Sequence, residues 1–110
     1  MRVSICHCFA CQTRTGSTYG VQARFKATQI TITGKTTEYV RIGDEGSKIT
    51  YSFCPSCGST LFYKNDQLEG SIVIPIGAFK DPTFPKPETS IYEERQHHWV
   101  LLPEGMDHLD

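Results

Sequence analysis

The sequence lacks any apolar run long enough to cross a bilayer. Its most apolar stretch, Ile72 to Phe79, is broken by Pro75 and Gly77, far short of the ~20 residues a spanning helix needs. An excess of positive charge is also missing. The formal net charge is −1, which argues against nucleic acid as a partner and against docking on a membrane surface. The opening residues Met-Arg-Val-Ser-Ile-Cys carry no apolar h-region, so no signal peptide is expected and the cytoplasm is the expected location. There is no phosphate-cradling glycine loop and no G-x-S-x-G elbow. Helical periodicity is scarce, and no βαβ alternation is found. That excludes a thioredoxin-like redox fold despite two C-x-x-C pairs.

What is there fits one compact domain over residues 1–110. Hydrophobic residues make up 38%, too many for a disordered chain. A core of this size is modest, so a metal staple would matter to stability. The alternation of apolar and polar residues predicts strands over Tyr19–Phe25, Gln29–Thr33, Thr37–Ile42, Lys48–Phe53, Thr60–Lys64 and Ile72–Ile76. The Gly43-Asp44-Glu45-Gly46 run reads as a turn. Asp81 to Pro87 carries three prolines and must be irregular. Ile91–Glu93 and Trp99–Leu102 read as late edge strands. The one helix signal spans Phe9 to Arg14 and stops at Gly16. The fold class is mainly β, with short antiparallel strands and at most one short helix near residues 9–14.

Five cysteines, an odd number, do not make a closed disulfide framework. In a reducing compartment such a cluster reads as metal-binding or catalytic. The first group is Cys6-His7-Cys8-Phe9-Ala10-Cys11 and the second Cys54-Pro55-Ser56-Cys57-Gly58. Each C-x-x-C suits a tight knuckle, and in the second the proline and glycine favour that turn. Thiolates at this spacing favour zinc. Two arrangements follow from the spacing. Cys8, Cys11, Cys54 and Cys57 make a closed structural site, with Cys6 a small buried hydrophobe. Alternatively Cys6 and Cys8, on one side of an extended segment with His7 pointing away, converge with Cys11. Three protein ligands and an open position are the pattern of a catalytic zinc, and such a site suits an incoming thiol that attacks an aldehyde carbon.

Other residues attract notice. His97 and His98 stand beside Trp99, but adjacent histidines on a strand face opposite ways, and a solvated strand end is the expectation. Trp99 reads as core. Arg14 and Arg24 have the chemistry to bind carboxylates, with a surface role the expectation for both. Glu93-Glu94-Arg95 reads as a solvated face.

The run Cys6-His7-Cys8-Phe9-Ala10-Cys11-Gln12-Thr13-Arg14-Thr15-Gly16 resembles the CHCxxC…G signature of the glutathione-dependent formaldehyde-activating enzyme family. Phe53-Cys54-Pro55-Ser56-Cys57-Gly58-Ser59 is similar to its FCxxCG signature. Gly77-Ala78-Phe79-Lys80-Asp81-Pro82 and the Ile91 to Trp99 segment resemble its C-terminal part. The resemblance implies a zinc-binding fold of two small antiparallel sheets. It implies a catalytic zinc on Cys6, Cys8 and Cys11 and a separate structural zinc on Cys54 and Cys57. The implied activity joins glutathione to formaldehyde, a carbon–sulfur lyase reaction.

The family usually begins with a further CxCG motif that completes the structural site. Only five residues precede Cys6 here, which reads as a shortened member or a misassigned start. One consequence is a single zinc shared between the two groups. Another is a non-catalytic zinc module that serves as an interaction or glutathione-carrier domain. The expected partners are glutathione or another small thiol and a small aldehyde, and a homodimer paired through an exposed sheet edge is a further expectation.

Overall fold

The computed structural model describes residues 1–109. Eight strands form one continuous sheet. They are β1 (Arg2–Cys6), β2 (Gly20–Lys26), β3 (Thr37–Ile42), β4 (Lys48–Phe53), β5 (Thr60–Asn65), β6 (Ser71–Pro75), β7 (Thr89–Ile91) and β8 (Asp107–Leu109). Their order across the sheet is β3-β4-β5-β6-β2-β1-β7-β8. One α-helix, α1 (Phe9–Thr15), follows β1. The chain is mainly β with one short helix, as the sequence pattern predicts.

The sheet count differs from the expected two. β5 and β6 meet through one register pair, Tyr63 with Val73. The sheet is therefore two halves, β3-β4-β5 and β6-β2-β1-β7-β8, joined at a narrow seam. The strands are not all antiparallel either. β7 runs parallel to β1 and to β8. Parallel neighbours need long crossovers, and the irregular passages 76–88 and 92–106 supply them.

Local chemistry explains most elements. β3 and β4 are joined by the Gly43–Gly46 turn, where Gly46 takes a φ of 88° that favours glycine. The Gly43 N–H donates to the Ser47 carbonyl at 2.7 Å and closes that turn. α1 ends at Gly16, which is left-handed and donates its N–H to the Gln12 carbonyl. That is the usual helix stop.

Three strand expectations fail. Residues 30–33 form no strand after a short 3-10 turn at Ala27–Gln29. β2 is already flanked by β1 and β6, and β3 pairs with β4. The alternating Gln29–Thr33 stretch pairs with no strand of the sheet, and Ile32 is exposed. Ile91–Glu93 is not a strand of its own. β7 ends at Ile91, Tyr92 adopts a φ of 58°, and Glu93–Arg95 winds a 3-10 turn. Trp99–Leu102 is not a strand, because β8 takes the edge beside β7. Trp99 is 69% exposed, so it is not core.

The two faces of the β1–β2 pair divide the work. Val3, Ile5 and Ala23 are buried on one face with Ile72 of β6. Arg2, Ser4, Cys6, Gln22 and Arg24 alternate with them and line a cavity on the other. That second face positions the site.

Candidate metal centre

Three sulfurs meet where β1 gives way to α1. Cys6 is the last residue of β1. Cys8, two positions on, has extended backbone and caps the helix. Residues two apart on extended chain face the same side, so both thiols point into the cavity. The first turn of α1 then carries Cys11 back over Cys8, and the Cys11 N–H donates to Cys8 Sγ at 3.4 Å. The three Sγ atoms lie within 4.8 Å of one another. Four thiolates around zinc, with Zn–S about 2.3 Å, stand roughly 3.8 Å apart. The donor set and its spacing therefore fit a soft, tetrahedral metal ion. All five cysteines of the chain are free thiols.

The environment favours one thiolate strongly. Hydrogen bonds from the Cys11 and Cys6 thiols hold the Cys8 thiol far below its ordinary range. Cys6 moves the opposite way. It donates within the cluster and is buried, so its pKa is pushed well up. Ligation of a divalent ion by all three sulfurs would require each thiol to lose its proton.

His7 lies between two cysteines but turns away from them. It is completely buried, its Nε2 pairs with Ser90 Oγ at 3.0 Å, and its backbone N–H donates to the Ile91 carbonyl at 3.1 Å. It pins the cysteine loop to β7. Burial lowers its pKa. Gln12 braces the other side. Its Nε2 donates to the His7 and Arg95 carbonyls, and its Oε1 pairs with His97 Nε2. His97 thus supports the loop through Gln12 and does not join the sulfurs, while His98 is exposed.

The cavity over the triad has a volume of about 530 Å³, a size that suits a small-molecule ligand. One wall is the β1–β2 face. The other comes from the β3-β4-β5 half, with Arg41, Ile49, Tyr51 and Tyr63. Arg41 Nε donates to the Tyr51 hydroxyl at 3.2 Å. Behind this wall Arg14 stands over the rings of Tyr51 and Tyr63, at 5.6 and 5.4 Å, a cation–π geometry. Arg14 is therefore a half-buried cation packed on two aromatic rings, not the surface residue expected. Arg24 also departs from expectation, since it lines the cavity. Arg95 bridges to Asp44 at 3.3 Å and stacks over Phe9 at 4.8 Å, and Glu93 pairs with His108. The Glu93–Arg95 segment thus ties loops together and is more than a solvated face.

The sequence pattern alone did not single out Arg2, Ser4, Gln22, Arg41, Tyr51 and Tyr63 for the cavity. For Arg2 and Ser4 a signal existed, because they share the parity of Cys6 on one strand.

Cys54 and Cys57 form the expected knuckle. The Cys54 N–H donates to the Ser59 carbonyl, the Gly58 N–H donates to the Cys54 carbonyl, and Gly58 has a φ of 77°. Cys57 is exposed, with Ser59 Oγ 3.2 Å from its sulfur. Neither cysteine belongs to the Cys6–Cys8–Cys11 group, the one cluster of three such ligands among the described residues. The structure therefore forms neither the closed Cys8–Cys11–Cys54–Cys57 site nor the single shared one.

The model of the family described as glutathione-dependent formaldehyde-activating enzyme matches residues 1–95. The chain belongs to this family. The match takes in both cysteine groups and every residue named above on the cavity wall. No curated protein matches the chain. No helix is long and apolar enough to cross a membrane among the described residues.

Proposed function

We propose that this chain joins glutathione, or a related small thiol, to formaldehyde or another small aldehyde, at a zinc held by Cys6, Cys8 and Cys11. One observation carries the reading: three convergent thiols at the end of a cavity far larger than a closed structural site needs. Zinc held by these three residues would supply the Lewis acidity that makes an incoming thiol more acidic and keeps its sulfur nucleophilic at neutral pH. The chain's own residues do the rest. His7 and Gln12 fix the cysteine loop, so that three sulfurs are presented without reorganisation. Arg14 supplies positive charge close to Tyr51 and Tyr63 on the cavity wall. Burial pushes the Tyr63 pKa up, so this residue stays a neutral phenol beside the site.

In the overall reaction the sulfur forms a bond to the carbonyl carbon, the C=O π bond breaks, and the thiol proton ends on the aldehyde oxygen. Cys54 and Cys57 supply two of the four thiolates that a structural zinc takes. A reducing compartment such as the cytoplasm suits both sets of free thiols.

The test is exchange spectroscopy with ¹³C-formaldehyde and glutathione. The zinc-loaded chain is expected to raise the exchange rate between free formaldehyde and S-hydroxymethylglutathione in proportion to its concentration. Chelation should return it to the uncatalysed rate. A rate indifferent to the protein would overturn the enzymatic reading in favour of a carrier or structural zinc module.

A further inference from the structure

β3 is the outermost strand of the sheet on the side of β4. The Gly43 N–H bond to the Ser47 carbonyl fixes the phase of the β3–β4 ladder. That pair continues the register in which Arg41 opposes Ile49 and Tyr39 opposes Tyr51. Antiparallel neighbours exchange bonds at alternate pairs, so Thr37, Tyr39 and Arg41 turn their backbone groups to β4. Glu38, Val40 and Ile42 turn theirs outward. Among the described residues no further strand or loop backbone bonds to these outward groups.

Exposed edges are ordinarily short, broken by proline or guarded by charge. β8, at the opposite edge, is three residues long and bears Asp107. β3 runs for six residues without proline. Its Tyr39, Val40 and Ile42 are 63%, 46% and 63% exposed. Its two charges, Glu38 and Arg41, are of opposite sign. An edge of this kind is a template for one more strand.

We propose that this strand is β3 of a second copy of the chain, paired antiparallel about a twofold axis at Val40. The axis stands normal to the sheet and keeps each face on its own side, so residues of like parity oppose one another. Centring on Arg41 sets two guanidinium groups directly opposite, which is unfavourable. Centring on Tyr39 leaves Ile42 beyond the partner strand. Centring on Val40 pairs every outward N–H and C=O of β3 in both copies: Val40 with Val40, and Glu38 with Ile42 in both directions. The side chains are complementary in this register as well. Ile42 stands beside Lys48 of β4. The second copy's Glu38, on the other side of Ile42, then lies about 10 Å from Lys48 between Cα atoms, within reach of the two long side chains. On the opposite face the second copy's Tyr39 meets Arg41, a cation–aromatic pair. Arg41 lines the cavity over the triad and donates to the Tyr51 hydroxyl. Each copy thus braces a cavity residue of the other.

Sedimentation equilibrium of the zinc-loaded chain, with amide hydrogen exchange read at Glu38, Val40 and Ile42, tests this. The chain is expected at twice its own mass with those three amides protected. Val40→Lys sets two ammonium groups across the axis, and should weaken the dimer at least tenfold and free the three amides. Glu38→Lys should weaken it too, because it sets a cation near Lys48, and adding Lys48→Glu to the same chain should restore it. A monomer with freely exchanging amides overturns the proposal and leaves the edge to a strand of another protein. A monomer with protected amides also overturns it, since a segment of the same chain then covers the edge. So does a dimer in which those amides exchange freely, or one that Val40→Lys leaves intact.

Discussion

A Cys11→Ser chain loses the metal of the triad and the activity that depends on it. Cys11 is the pivot of the cluster: buried, on the first turn of α1, with its N–H on Cys8 Sγ. Serine keeps the helix and nearly the same volume but offers a hydroxyl that stays protonated at neutral pH. Loss of an outer-shell partner costs metal sites about 10- to 100-fold in affinity. Loss of one of three thiolates should cost more, at least on the order of a hundredfold. Zinc bound per chain, measured after dialysis against a competing chelator, should fall by the one ion assigned to the triad. Cys57→Ser should leave that ion in place, since Cys57 stands outside the cluster. Equal loss from both variants would mean that the two groups share one site after all.

The second large effect concerns His7. Its ring is fully buried and paired to Ser90. His7→Ala removes that ring, opens a cavity and leaves the buried Ser90 hydroxyl without this partner. Large-to-small changes of this kind cost about 3 kcal/mol, and urea denaturation should show it. The cost depends on pH. Burial lowers the pKa of His7 in the folded chain, while the unfolded chain takes up the proton near its ordinary value of about 6.5. The contribution of His7 is therefore complete above that pH and declines as pH falls below it. The penalty of His7→Ala should be larger at pH 7.5 than at pH 5.5. A penalty that does not change between them would show that the His7 pKa is the same in the folded and the unfolded chain. Metal affinity should fall in the same variant, since the cysteine loop loses its anchor on β7.

These residues also show how far the sequence could be read. The bounds of β3 and β4 follow from alternation flanking a glycine-rich turn, because both signals are local. The cysteine triad was likewise local: extended spacing from Cys6 to Cys8, then one helical turn to Cys11. The spacing left a three-ligand and a four-ligand site open, and the choice fell to tertiary structure, which keeps Cys54 and Cys57 on a separate knuckle. Gln29–Thr33 shows the converse. It alternates as a strand should, yet it pairs with no neighbour in the sheet. β8, exposed along its length and bearing Asp107 and His108, has a weak strand pattern and exists because β7 offers an edge. The cavity's far wall was out of reach for the same reason. Arg41, Tyr51 and Tyr63 come to the sulfurs only because β3-β4-β5 joins the rest of the sheet at Tyr63–Val73.

The central claim is that Cys6, Cys8 and Cys11 hold a metal ion with one position open to a thiol. The visible spectrum of the cobalt-substituted chain during a glutathione titration tests it most directly, because cobalt reports the ligands that zinc hides. The account predicts a saturable change in the d–d bands with added thiolate-to-metal charge transfer, absent in Cys11→Ser. A four-thiolate spectrum from the outset, indifferent to glutathione, would contradict it.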